Sequence, residues 1–124
     1  MLKEILAVFI GGGLGSSLRY LISKAYFISN SNFPYSTFIS NALGCILLGI
    51  LVGYFIKQDA YQSTVFLFLT VGFCGGFTTF SSFSYESLEL IQSGQTLTFF
   101  TYLFLSFFTG ITGLYFGTIL FKSL

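Results

Sequence analysis

Residues 72–83 read GFCGGFTTFSSF, and they sit inside an apolar run that begins near Thr64. Gly72, Gly75 and Gly76, followed by Thr78 and Thr79, make a poor helix centre, because each glycine costs about 1 kcal/mol relative to alanine. The run around them is long enough to cross a bilayer, so a break falls at membrane depth. Broken helices persist there only where they are buried in protein or line a cavity. A break frees backbone groups in pairs of opposite sign: carbonyls that coordinate a cation, and a helix N-terminus that favours an anion.

Working outward, the rest of the chain has the same character. Only 7% of its 124 residues are charged, against about 25% in soluble domains. There are 18 phenylalanines, no histidine and no tryptophan, more aromatic bulk than one small core can bury. Crossing a bilayer takes about 20 apolar residues, and four runs qualify, predicting spans at about 5–25, 34–57, 62–90 and 97–121. Lys3 ahead of the first run also has the look of a signal peptide. Removing it would leave three spans and no exported domain, so we read it as a span. The connections SNSNFP, KQDAYQS and QSGQ are short. The expectation is an all-α membrane protein, residues 1–124 forming a single four-helix domain whose third helix is broken. Pro34 suits the opening of the second helix. Small residues four apart (Gly11 and Gly15, Gly12 and Ser16, Gly13 and Ser17, Gly49 and Gly53, Gly113 and Gly117) let helix backbones approach closely in lipid.

Packing leaves some polar residues unexplained. Arg19 lies late in the first span, where it either snorkels to the interface or sets a positive potential in a vestibule. In the second span Thr37, Asn41, Gly44, Cys45 and Leu48 share a face at helical spacing, and Asn41 is its only amide. Gly76, Phe80, Phe83 and Ser87 align in the third span, with Thr79, Ser81 and Ser82 beside them. Thr98, Tyr102, Ser106, Thr109 and Gly113 align in the fourth. One polar stripe is ordinary interhelical hydrogen bonding; three in four helices suggest a polar track through the membrane. Its lining is almost all donors, with no carboxylate, and phenylalanine edges are electropositive. A small, hard anion fits such a track, and composition does not separate fluoride from chloride or hydroxide.

Other classes fit less well. Cys45 and Cys74 each sit in apolar runs and read as packing residues, and metal sites need several ligands close together. No acid–base or nucleophile constellation can be drawn without histidine and with Glu4, Asp59, Glu86 and Glu89 all near span ends, so no enzyme is expected. A net charge of +1 gives no clustered basic patch for nucleic acid. Thr70-Val71-Gly72-Phe73 is similar to a potassium filter, but it lies within a span and ends on Cys74. A small proton-coupled multidrug transporter shares the size, yet needs a membrane carboxylate that the first span lacks.

Three stretches carry a resemblance: GGGLGSSLRY (11–20), SNALGCILLG (40–49) and GFCGGFTTFSSFSYE (72–86). Together they resemble the Fluc/CrcB family of fluoride channels over essentially the whole chain. The resemblance implies passive fluoride export across the cell membrane, through an antiparallel homodimer with two pathways. It makes Asn41 the pore amide and Phe80 and Phe83 the rings whose edges contact fluoride, with Ser81 and Ser82 adding hydroxyls. It places a polar rail on Tyr102 and Ser106. Gly110 stands where a further hydroxyl is usual, so Thr109 is the candidate to continue or shift the rail. Arg19 becomes a vestibule arginine. Glu86 becomes a carboxylate near the pathway, or else a solvated helix end. A structural sodium ion at the dimer centre would take backbone carbonyls of Gly75 and Thr78. The near balance of Lys3, Lys57 and Lys122 on one side against Arg19 and Lys24 on the other gives little orienting bias, which suits insertion in both directions.

Overall fold

The computed structural model describes residues 1–25 and 31–122, and those residues form helices and short turns. Helix α1 covers Leu2–Ser23 and α2 covers Tyr35–Lys57. The third span is composite. It opens as α3 (Thr64–Leu67), widens to a π-helix over Phe68–Cys74, tightens again as α4 (Gly75–Phe77), and resumes as α5 (Phe80–Gln92). Helix α6, Thr96–Lys122, is the fourth span. Its 27 residues reach about 40 Å at 1.5 Å per residue, enough for a hydrocarbon core of about 30 Å. Four helices are thus long and apolar enough to cross a membrane. The predicted boundaries hold to within a few residues, and Pro34 caps α2 rather than entering it.

The break falls at the threonines. Thr78 and Thr79 are extended (ψ 157° and 123°), between α4 and α5. Thr79 caps α5, its hydroxyl accepting from the Ser82 N–H at 3.2 Å, which satisfies one of the orphan donors of a helix start. The turn from α5 into α6 is set by Gly94, at φ +75°, where its missing Cβ removes the steric cost. The Gln95 N–H then closes onto the Leu90 carbonyl at 2.9 Å.

Glycines set the pairing of spans. A methyl added to Gly11 or Gly15 of α1 would run into the backbone of Phe68, Phe73 or Phe77, and one on Gly76 into the Gly12 carbonyl. Gly49 and Gly53 of α2 meet the Leu114 and Thr118 carbonyls in the same way, and Gly117 meets Ile46 and Ile50. In both pairs the contacts advance together along the chain, so α1 runs parallel to the third span and α2 parallel to α6. Backbone-to-backbone approach of this kind supplies the dispersion contacts that hold helices together where lipid removes the hydrophobic drive. Gly13, by contrast, faces open space.

The break also resets helical phase. Gly76, expected on one face with Phe80 and Phe83, turns instead toward α1, while Phe83, Ser87 and Leu90 line the buried face of α5. Phe83, Leu90 and the wholly buried Tyr102 form a core with Phe33, Phe38, Phe99 and Leu103 packed around it. Much of the outer surface is apolar, including Phe9, Leu21, Phe104, Phe108 and Phe116. Apolar area on that scale is characteristic of a lipid-facing surface.

Candidate functional site

Where the third span breaks, α2 and α6 frame a hollow of about 380 Å³. Asn41 and Cys45 line it from α2, Gly75, Thr78, Thr79, Phe80 and Phe83 from the third span, and Ser106, Phe107 and Gly110 from α6. The hollow exists because the break leaves α4 and α5 offset and because Gly110 brings no side chain. Above it stands Phe80, 76% exposed on the rim, while the Phe83 ring is buried below, 5.9 Å away between centroids. Phe83 is held by Tyr102 at 5.0 Å and by Phe107 edge-on at 6.2 Å.

The backbone at the break is held by side chains. Asn41 brackets Thr79: its Nδ2 donates to the Thr79 carbonyl at 3.0 Å, and its Oδ1 accepts from the Thr79 N–H at 2.7 Å. The Thr79 N–H is therefore not turned back onto Gly75, four residues earlier, as a continuing helix would require. Thr78 keeps a helical bond from its N–H to the Cys74 carbonyl, and its hydroxyl donates to the same oxygen at 2.8 Å. On the opposite side Arg19 Nε donates to the Gly76 carbonyl at 3.3 Å. Neither sequence alternative for Arg19, the interface or an open vestibule, anticipated this partner.

Deeper along α5, Glu86 is not a solvated helix end. Its two carboxylate oxygens accept from Thr37 Oγ1 and Tyr102 Oη, each at 2.7 Å. The sequence reading lined the track almost wholly with donors, and two of them, Thr37 and Tyr102, are engaged by this carboxylate. Thr37 belonged to the α2 stripe, so the signal was present, but nothing in the spacing named its partner.

The remaining candidates separate. Ser106 lines the hollow, and its buried hydroxyl has no hydrogen-bond partner among the described residues. Ser81 and Ser82 lie beside it rather than in its wall, clustered on Thr79 Oγ1 at 3.1 and 3.3 Å. Thr109 turns away: its hydroxyl donates to the Leu105 carbonyl at 2.7 Å, and it lines an apolar furrow with Ile46, Phe108 and Thr112. Gly110 occupies the hollow in its place. Among the described residues no cluster of three or more His, Cys, Asp or Glu side chains could hold a metal. Both cysteines are free thiols, Cys74 buried and Cys45 in the hollow wall.

Chemically, this is a cavity at membrane depth with a helix N-terminus and uncharged donors facing in. A family model described as CrcB-like protein, Camphor Resistance (CrcB), matches residues 6–118. The chain belongs to the CrcB family. Similar CrcB relatives come from several bacteria. The fluoride-specific ion channel FluC of Flavobacterium psychrophilum is 44% identical over 99% of this chain and 100% of its own. Proteins of the same name from Phocaeicola vulgatus and Azobacteroides pseudotrichonymphae are 47% and 46% identical, covering 94% and 97% of this chain and 96% and 97% of theirs. With four apolar helices, this CrcB chain is a multi-pass membrane protein.

Proposed function

We propose that the protein is a passive, fluoride-selective channel of the cell membrane that lowers cytoplasmic fluoride, working as an antiparallel homodimer. The observation that carries this reading is the Ser106 hydroxyl, without a partner among the described residues and buried in the same hollow as Asn41 and the start of α5. A buried donor without an acceptor costs about 1–3 kcal/mol, and a small anion supplies that acceptor. Asn41 has a second Nδ2 hydrogen beyond the one given to Thr79. The α5 N-terminus adds a positive dipole end. Edge-on Phe80 and Phe83 replace further water contacts without a full charge that would trap the ion. Tyr102, one turn from Ser106 on α6, already gives its hydroxyl hydrogen to Glu86, which leaves Ser106 and the second Nδ2 hydrogen of Asn41 as the donors for the ion. Relatives named fluoride-specific channels, matched over nearly their full length, favour fluoride over other small anions.

The homodimer rests on the open flank of the hollow and the exposed Phe80 ring on its rim, which a second chain would cover. A sodium ion bridging the two chains suits the break. Hard cations take oxygen ligands. Gly75 and Thr78 both line the hollow, and the helical N–H that would reach the Gly75 carbonyl is held by Asn41 instead. When bound, sodium supplies a structural positive charge; this chain's part is to present the carbonyls.

The test is fluoride efflux from liposomes loaded with purified protein, with chloride as control. Rapid fluoride release without chloride release is expected; equal release of both ions, or release only under a proton gradient, overturns the proposal. A C-terminal tag should be reachable from both faces of the membrane, and reactivity on one face alone would exclude the antiparallel arrangement.

A further inference from the structure

We infer that Arg19 serves the pathway as a positioning residue, pinning the Gly76 carbonyl at the break through its Nε, and that its charge is not the property used. This deepens the channel reading above and rests on it.

The case begins with spacing. Gly11, Gly15 and Arg19 follow one another at four-residue steps along one side of α1. The first two let the backbone of α1 touch that of the third span at Phe68, Phe73 and Phe77. Arg19 is the next step, and it arrives where the helical backbone stops. There the Gly76 carbonyl would bond the N–H of residue 80 in a continuing helix, but Thr78 and Thr79 are extended and carry Phe80 away. A carbonyl released inside the membrane costs several kcal/mol unless a donor reaches it. Arg19 Nε is that donor, at 3.3 Å. Asn41 does the equivalent for Thr79 from the other side. The two brackets, from different helices, fix both edges of a two-residue gap whose walls include Gly75, Thr78 and Phe80. Arg19 thus acts on the ion only through the backbone it holds.

The donating atom makes the idea separable from electrostatic attraction. In Arg19→Gln the amide nitrogen stands at the chain position of Nε, so the donor is kept and the charge lost. In Arg19→Lys a methylene stands there, so the charge is kept and that donor lost. Arg19→Met loses both at similar length. Each variant is purified as the full chain and read in two ways. Fluoride efflux gives maximal rate and half-saturating concentration at low and high salt. Amide exchange gives protection across residues 77–80.

Positioning requires Gln to keep the maximal rate within about twofold, and Lys and Met to lose about tenfold or more, the order that leaving a buried carbonyl without its donor represents. Exchange at residues 77–80 should rise by a similar factor in Lys and Met alone, at any salt. Attraction by charge gives the reverse: Lys behaves as wild type, while Gln raises the half-saturating fluoride concentration in a manner that high salt removes. That outcome overturns the inference, as does equal behaviour of all three variants. Where a variant loses its dimer, the exchange pattern of the protein that remains still separates Gln from Met. A wild-type protein passing no fluoride would sink the channel reading, while the exchange data would still decide what Arg19 holds.

Discussion

Asn41→Asp is the change that most directly weighs the break against the ion. The new carboxylate keeps an acceptor for the Thr79 N–H at 2.7 Å, but it sets a second oxygen against the Thr79 carbonyl at the 3.0 Å where Nδ2 now donates. One hydrogen bond is lost and a half-buried carbonyl is left facing a negative oxygen. Losing the donor to that carbonyl costs about 1–3 kcal/mol, and ionic repulsion in a low-dielectric site adds to it. A loosening of about 2–3 kcal/mol corresponds to roughly 30- to 150-fold more frequent opening of the break. The same charge repels an entering anion, so fluoride efflux should fall to background. The bracket predicts that the variant assembles with a loosened break. Efflux and Thr79 amide exchange are measured on the same purified dimers. Wild-type efflux together with wild-type protection of Thr79 would refute both roles of Asn41. Lost efflux with full protection would refute the bracket alone.

Other expectations follow from the same geometry. Phe80→Ile should cut fluoride efflux far more than Phe80→Met in equally stable dimers, because a thioether adapts and remains polarisable while isoleucine offers neither that nor a ring edge; equal rates would reduce Phe80 to packing. Gly15→Ala should destabilise the protein by about 1–3 kcal/mol, since its methyl meets the Phe73 and Phe77 backbone, whereas Gly13→Ala, mid-helix and facing open space, should leave the melting temperature level or slightly raised. Thr78→Ser should keep sodium-dependent dimer stability, the proposed ligand being a main-chain carbonyl, and fluoride efflux should not follow an imposed sodium gradient; a rate that tracked it would argue for cotransport.

The four spans and the break were legible because each is written in local composition: runs of apolar residues, and glycines ahead of two threonines. The α2 stripe was legible too, since Thr37, Asn41 and Cys45 lie on one uninterrupted helix whose period is known, and all three do face the third span or its hollow. Prediction failed where the period changed. The π-helical turns over Phe68–Cys74 and the extended pair at Thr78 and Thr79 shift the phase, so Gly76 could not be aligned with Phe80 by counting. Thr109 and Gly110 were hard to order for a different reason. A 100° step separates neighbours on a helix, and only the close glycine packing of α6 on α2 decides which of them meets the hollow. The backbone partner of Arg19 lies 57 residues away, and the side-chain partners of Glu86, Thr37 and Tyr102, lie 49 and 16 residues away on other helices, separations at which spacing carries no information.

Both side chains that hold the break stand on helices made before it. Synthesis delivers the N-terminal elements first, at about 5–20 residues per second, so Arg19 and Asn41 reach the membrane seconds before Gly76 and Thr79 leave the ribosome. The third span therefore enters lipid beside donors already waiting for its exposed carbonyls, and the order of helices in the gene works as an assembly instruction. With four crossings, both chain ends lie on the same face, so they can be joined and the chain reopened between α2 and α3. Such a rearranged gene keeps the packing of helix on helix yet sends the broken span in first, and its yield of inserted protein should drop accordingly.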